Sequence, residues 1–160
     1  MYAQLNTKTV FSFMDATVKL TDYITAAKTL GYQTLGISDV DNLHAAHQFI
    51  TQAKAAGIQP VIGYETTLLL DGLAINFTFI AKTNAGLQNL YSISSKKNFG
   101  YNNFSDIHSH LCDVALILPA DSAVDSILTH LPQNDVFVGL AQPMAQGFLR
   151  PTIPFLSVSC

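Results

Sequence analysis

Short apolar runs that stop abruptly at polar residues set the strongest constraint on the fold of this chain. Tyr2 to Leu5 gives way to Asn6-Thr7-Lys8-Thr9, Thr34 to Ser38 runs into Asp39-Val40-Asp41-Asn42-Leu43, and Pro60 to Ile62 runs into Gly63-Tyr64-Glu65. Between the first two runs, Val18, Tyr23, Ile24, Ala27 and Leu30 recur close to a helical period, and Gly31 follows as a C-cap. Between the second and third, Asp41 or Asn42 can cap a helix that runs to about Ala56 and stops at Gly57. Strand-helix-strand alternation with mostly apolar strands implies a largely parallel sheet covered by helices, with right-handed crossovers. Barrels and open sheets of this class keep their site residues at the C-terminal ends of the strands. The polar residues that end the three runs are therefore the first candidates for a site.

The pattern continues with one interruption. Pro60 to Leu70 reads as a long strand, and Asp71-Gly72 is a hairpin signal before a strand from Leu73 to Lys82. Asn84 can cap a helix to about Ser95, and Phe99 to Phe104, aromatic and rich in Asn, reads as a loop. Val114 to Leu118 and Asp135 to Leu140 read as strands, with a helix capped by Asp121 and ending near Leu131 between them. Pro154 to Ser159 reads as a last strand. A chain of 160 residues with no repeat or linker is expected to form a single α/β domain over residues 1–160.

Composition narrows the function classes. Nearly half of the residues are apolar and 12% are charged, which is a globular balance. The net charge of -3 leaves no basic footprint for nucleic acid, and Lys96-Lys97 is the only adjacent basic pair. Cys112 and Cys160 do not make a disulfide framework, which suits a cytoplasmic setting. No signal peptide is visible and no apolar stretch approaches the length of a membrane span, so no membrane partner is expected.

Several other groupings invite a functional reading and have a plainer one. His108 and His110 form the only His-x-His, ahead of a strand, where a helix turn or loop with solvated imidazoles suffices. His44 and His47, three apart on one helix, could meet a metal with Asp41, but surface histidines near a helix start account for them. Cys112 reads as a small core residue. Ser12 and Ser38 lack evident His and Asp partners for a hydrolase triad. Phe99, Tyr101 and Phe104 could stack bases, yet with only Lys96-Lys97 beside them a packing loop is the better reading.

Three passages, in order and at matching spacing, resemble the PHP (polymerase and histidinol phosphatase) domain at the N-terminus of the bacterial DNA polymerase III alpha subunit. They are Gln4 to Thr9 followed by Phe11-Ser12-Phe13-Met14-Asp15; Ala26 to Gly31 followed by Leu35-Gly36-Ile37-Ser38-Asp39; and Phe49 with Ala53 to Glu65. The likeness is looser from Leu73 to Leu140. Active members of that family carry His-x-His after the first strand, a later acid, Asp-His after the second strand and Gly-x-Glu after the third. Imidazoles and carboxylates in that set suit Zn or Mn ions that activate water for phosphoester hydrolysis. At these positions the present chain has Asn6 and Lys8, Asp15, Asp39 followed by Val40, and Glu65. An amide is a poor ligand, Val is none, and an ammonium repels a cation, so the resemblance implies a metal site that has been lost.

The resemblance further implies a distorted (β/α)7, TIM-like barrel, truncated at the C-terminus, with Asn6, Lys8, Asp15, Val40 and Glu65 at one rim and Asp39 behind them. It implies a metal-free scaffold that begins a longer polymerase chain. That parent would use Mg to make DNA, and its remaining domains, other replisome proteins and DNA would be the partners. Either a local rearrangement near Phe148 to Cys160 or association between chains through that region is also expected of a truncated barrel. The alternatives are an active PHP-type phosphoesterase or 3′-5′ exonuclease, and a stand-alone protein-interaction module. Lys8 is expected to take over the charge of the missing metal by pairing with Asp15, Glu65 or both.

Overall fold

The computed structural model describes residues 4–12, 17–119 and 135–139. In chain order the elements are α1 (Leu20–Thr29), β1 (Thr34–Val40), α2 (Ala46–Ala55), β2 (Gln59–Leu70), β3 (Leu73–Ala81), α3 (Asn84–Asn98), α4 (Phe104–Ile107), β4 (Val114–Pro119) and β5 (Val136–Gly139). The five strands form one sheet in the order β1-β2-β3-β4-β5, the order of the chain itself. The β1–β2 and β4–β5 pairs are parallel, whereas β2–β3 and β3–β4 are antiparallel.

Among the described residues this is an open, mixed sheet, and not the closed, largely parallel barrel expected from sequence. The reversal has a local cause. Leu70 pairs with Leu73, so only Asp71 and Gly72 connect the strands, and both have positive φ, 51° and 81°. That is the backbone of a type I′ hairpin, which Asp-Gly favours. A two-residue hairpin takes the place of a crossover helix, and β3 must then run against β2.

Helix ends follow the sequence closely where glycine sets them. After α1, Gly31 has φ 77° and its amide donates to the carbonyl of Lys28, while the Tyr32 amide reaches that of Ala27. This is a Schellman closure, and Gly57 ends α2 in the same way. Helix starts depart from expectation. Helix α2 begins at Ala46, without a side-chain cap, because Asn42 Oδ1 is used one turn earlier to accept the His44 amide. At α3 it is Thr83, not Asn84, that caps, accepting the Gly86 amide.

One face of the sheet carries Leu35, Ile37, Ile62, Tyr64, Leu68, Ile75, Phe77, Phe79, Val114, Leu116 and Leu118, and these pack with Leu20, Ile24, Phe49, Ala53, Leu90 and Ile93 of the helices into the core. The Phe77 ring stacks on Phe79 and on Phe104, with centroids 5.8 and 5.0 Å apart. The other face is more polar. Side chains alternate along a strand, so the register places Ser38, Val40, Glu65, Thr67, Asn76 and Thr78 there together.

The expected helix from Asp121 to Leu131, the strand from Pro154 to Ser159, the rearrangement or association near Phe148 to Cys160, and Asp15 itself lie outside the described residues. Cys112 is exposed and not in the core, because it falls in the turn just before β4.

Candidate functional site

The segment from Gln4 to Thr9 lies along the free edge of β1. Gln4 bridges to Leu35 in parallel fashion, and the amides of Gly36 and Ser38 donate to the carbonyls of Gln4 (2.7 Å) and Thr7 (2.8 Å). Gly36 is required for this contact, since a Cβ there would stand 2.8 Å from Leu5 Cα. Tyr23 of α1 bridges the Thr7 hydroxyl and the Gly36 carbonyl. Burial raises its pKa, and the Thr7 bond acts against that shift.

The buried carboxylate of Asp39 fixes the next turn. Its Oδ1 accepts the Thr9 amide (2.6 Å) and the Ser12 hydroxyl (2.7 Å), and its Oδ2 accepts the Thr9 hydroxyl (2.8 Å). Ser12 Oγ in turn accepts the amide of Val40. Thr9, Ser12 and Asp39 are all buried. Asp39 therefore organises the loop at the end of β1, with Ser12 as its hydrogen-bond partner.

Between these two anchors Lys8 reaches across β1 to β2. Its Nζ stands 3.0 Å from Glu65 Oε1, and the two side chains are 30% and 6% exposed. Glu65 lies in the middle of β2 and not at its end, opposite Val40, the last residue of β1. Asn76 of β3 donates to the same Oε1 at 2.8 Å. Lys8, Val40 and Glu65 thus lie together, and Asn6 is exposed two residues before Lys8 on the same segment.

The residues described at the rim are a poor fit to a transition-metal cluster, since an ammonium stands against the one carboxylate there. Among the described residues, no three of His, Cys, Asp and Glu come close enough to hold a metal ion. His44 and His47 are both exposed, and they do not share a helix as expected, because His44 lies in the turn before α2. Asp41, at φ 54°, is occupied by the Thr66 hydroxyl. His108 and His110 form a single 3-10 turn after α4.

The aromatic loop is not the packing loop expected from sequence. Phe104 is buried, while Phe99 and Tyr101 are exposed. The adjacent lysines are both engaged: Lys96 Nζ donates to the Asp106 carbonyl, and Lys97 Nζ donates to the Thr67 carbonyl and Asn102 Oδ1. Asn76 is the site residue that sequence reading missed. The hairpin centred on Asp71-Gly72 pairs Asn76 with Thr67, which puts it diagonal to Glu65 on one face, so the turn alone could have located it.

Comparison with known proteins places the chain in a family. The chain is 37% identical over 142 residues to DNA polymerase III subunit alpha of Streptococcus pyogenes, covering 89% of this chain and 13% of that protein. It is 40% identical over 96 residues to the same subunit of Staphylococcus epidermidis, covering 59% and 9%. It therefore spans about an eighth of the first of these relatives. Among solved structures, an amidohydrolase from Chromobacterium violaceum with bound sulfate and no metal aligns over 80% of this chain and 72% of its own, at 12% identity and a TM-score of 0.53, a likeness of fold alone. Among the described residues, no helix is long and apolar enough to cross a membrane. The PHP domain model matches residues 4–138, and the chain belongs to the PHP domain family.

Proposed function

We propose that this chain is a metal-free PHP domain that serves as a scaffold at the start of a DNA polymerase III alpha subunit. The observation that carries this reading is the ammonium of Lys8 set 3.0 Å from Glu65, where an active family member would need a divalent cation. Water bound to a Zn or Mn ion becomes a nucleophile at neutral pH only because the metal lowers its pKa. A lysine cannot coordinate water in that way, and Asn6, Lys8 and Val40 supply no imidazole. The similarity to one end of a much longer polymerase subunit supports a role within such a chain. The parent protein would make DNA with Mg in the cytoplasm, and its remaining domains would be the first partner of this one.

The test is direct. The purified chain is incubated with Zn or Mn and p-nitrophenyl phosphate, and separately with single-stranded DNA. No metal-dependent turnover is expected. Hydrolysis that requires the metal and disappears in Glu65→Ala would establish an active phosphoesterase instead.

A further inference from the structure

We propose that Lys8 is a built-in counter-cation that ties the N-terminal segment to the β2–β3 hairpin, and that its removal turns the same rim into a site for a free cation. This rests on the reading above, that the native rim does not take a metal.

Position is the first argument. The residues on either side of Lys8 are both pinned: the carbonyl of Thr7 accepts the Ser38 amide, and the amide of Thr9 donates to Asp39. The backbone of Lys8 is therefore fixed before its side chain makes any contact, and little backbone entropy is spent in placing the ammonium. The partner is equally well placed. Glu65 is only 5% exposed and lies on β2 with Val40 on one side and Thr78 on the other. Asn76 holds Oε1 from the side of β3 while Lys8 holds it from the side of the N-terminal segment. One carboxylate oxygen thus joins three stretches of chain, the N-terminal segment, β2 and β3, of which the first pairs through its backbone with β1.

Charge is the second argument. A carboxylate withdrawn from water needs a neutralising partner, and a single amide donor does not supply one. Without Lys8, Glu65 would keep Asn76 and lose its cation. The vacated space is the size of an ammonium and lies beside an anionic oxygen. Oxygen ligands of that kind favour a hard divalent ion or a small organic ammonium over a soft metal.

Thermal unfolding of the 160-residue chain tests this with Lys8→Ala, Glu65→Gln, the double variant, and two probes: Mn and methylammonium, each at millimolar concentration. Wild type should be indifferent to both probes. Lys8→Ala should melt about 3–8 °C lower, the range expected for a broken, partly buried pair in a chain of this size, and either probe should restore at least half of the loss. The double variant should regain most of the loss without a cation and should not respond to one. Should Lys8→Ala fail to fold, the double variant still decides, because a folded, cation-insensitive double variant beside an unfolded single one is the predicted coupling. The proposal is overturned if Lys8→Ala melts with wild type, if neither probe restores it, or if Glu65→Gln fails to relieve it. A wild-type chain that is itself stabilised by Mn would instead overturn the metal-free reading, which is a separate outcome.

Discussion

Asp39 offers the sharpest test of how the rim is organised. It is 2% exposed and accepts three hydrogen bonds, two from Thr9 and one from Ser12, which are themselves fully buried. Asp39→Asn keeps the shape. The amide oxygen can take the place of Oδ1 and accept both the Thr9 amide and the Ser12 hydroxyl, and the Thr9 hydroxyl can turn to accept from the new amide. What is lost is charge assistance, and hydrogen bonds to charged groups contribute about 1.5–3 kcal/mol against about 0.5–1.5 for neutral ones. The expected cost is about 1–2 kcal/mol. Asp39→Ala removes every acceptor and strands donors that cannot reach water, at about 1–3 kcal/mol each and less than additively. The expected cost is about 3–5 kcal/mol. Urea denaturation at constant slope measures both. Adding Ser12→Ala to each background should cost less in Asp39→Ala than in wild type, since its partner is already gone. If Asn proves as damaging as Ala, shape complementarity is not what holds the loop. If Ala costs under about 1 kcal/mol, the loop is not anchored by Asp39 at all.

Two further outcomes follow from the core. Tyr64 is fully buried, and its hydroxyl, near those of Thr66 and Ser94, finds no hydrogen-bond partner of acceptable geometry. Burial, and then the charge of Asp41, raise its pKa above the ordinary value of 10.0. The unfolded phenol ionises first as pH rises, so the contribution of this group is complete below pH 10 and is lost as pH climbs through the folded pKa. Tyr64→Phe should therefore be neutral or stabilising by about 1 kcal/mol at pH 7. It should also soften the fall in melting temperature above pH 10; an unchanged alkaline profile, or a loss above about 1 kcal/mol at pH 7, would argue against an orphan hydroxyl. Gly86→Ala should cost about 3 kcal/mol in the same urea assay, because its Cβ would stand 2.1 Å from the carbonyl oxygen of Asp113, a backbone atom already bonded to the Lys82 amide. A near-neutral result would mean that α3 can shift away from β4 freely.

Local chemistry was the legible part of the sequence. Gly31 and Gly57 announce helix ends because a left-handed residue is needed there, and Asp71-Gly72 announces a hairpin for the same reason. Each signal is complete within a few residues. The start of α2 was misread because Asn42 had two uses, capping the helix or closing a turn before it, and only the packed loop decides between them. Cys112 was misread because apolar character says nothing about which side of a turn faces water. The open sheet could not be foreseen from β1 and β2, which pair in parallel as expected, since closure depends on strands far along the chain. At the rim, the family resemblance placed Lys8 and Glu65 near one another, whereas Asn76 became visible only once the hairpin register was counted. The hydroxyls of Thr9 and Ser12 on Asp39 left no signal, because Ser and Thr serve any loop.

Strand order repeating chain order has a consequence for how the rim comes together. Every strand from β1 to β5 can add to the neighbour just before it, beginning from a hairpin with a two-residue loop, and little chain must be closed at each step. The N-terminal segment is the outermost strip of that assembly, and alternate amides of β1 point towards it and towards β2. Those of Gly36 and Ser38 are held by the segment. The contacts of that strip would then be the last to form and the first to open, the Lys8–Glu65 pair acting together with the Asp39 bonds to Thr9 and Ser12. Amide hydrogen exchange reads this directly: Gly36 and Ser38 should exchange faster than Leu35, Ile37 and Asp39 of the same strand. Equal rates across all five would make the edge strip part of one cooperative unit with the sheet. Unequal rates would make this corner of the domain a strip that opens ahead of the sheet it lies on.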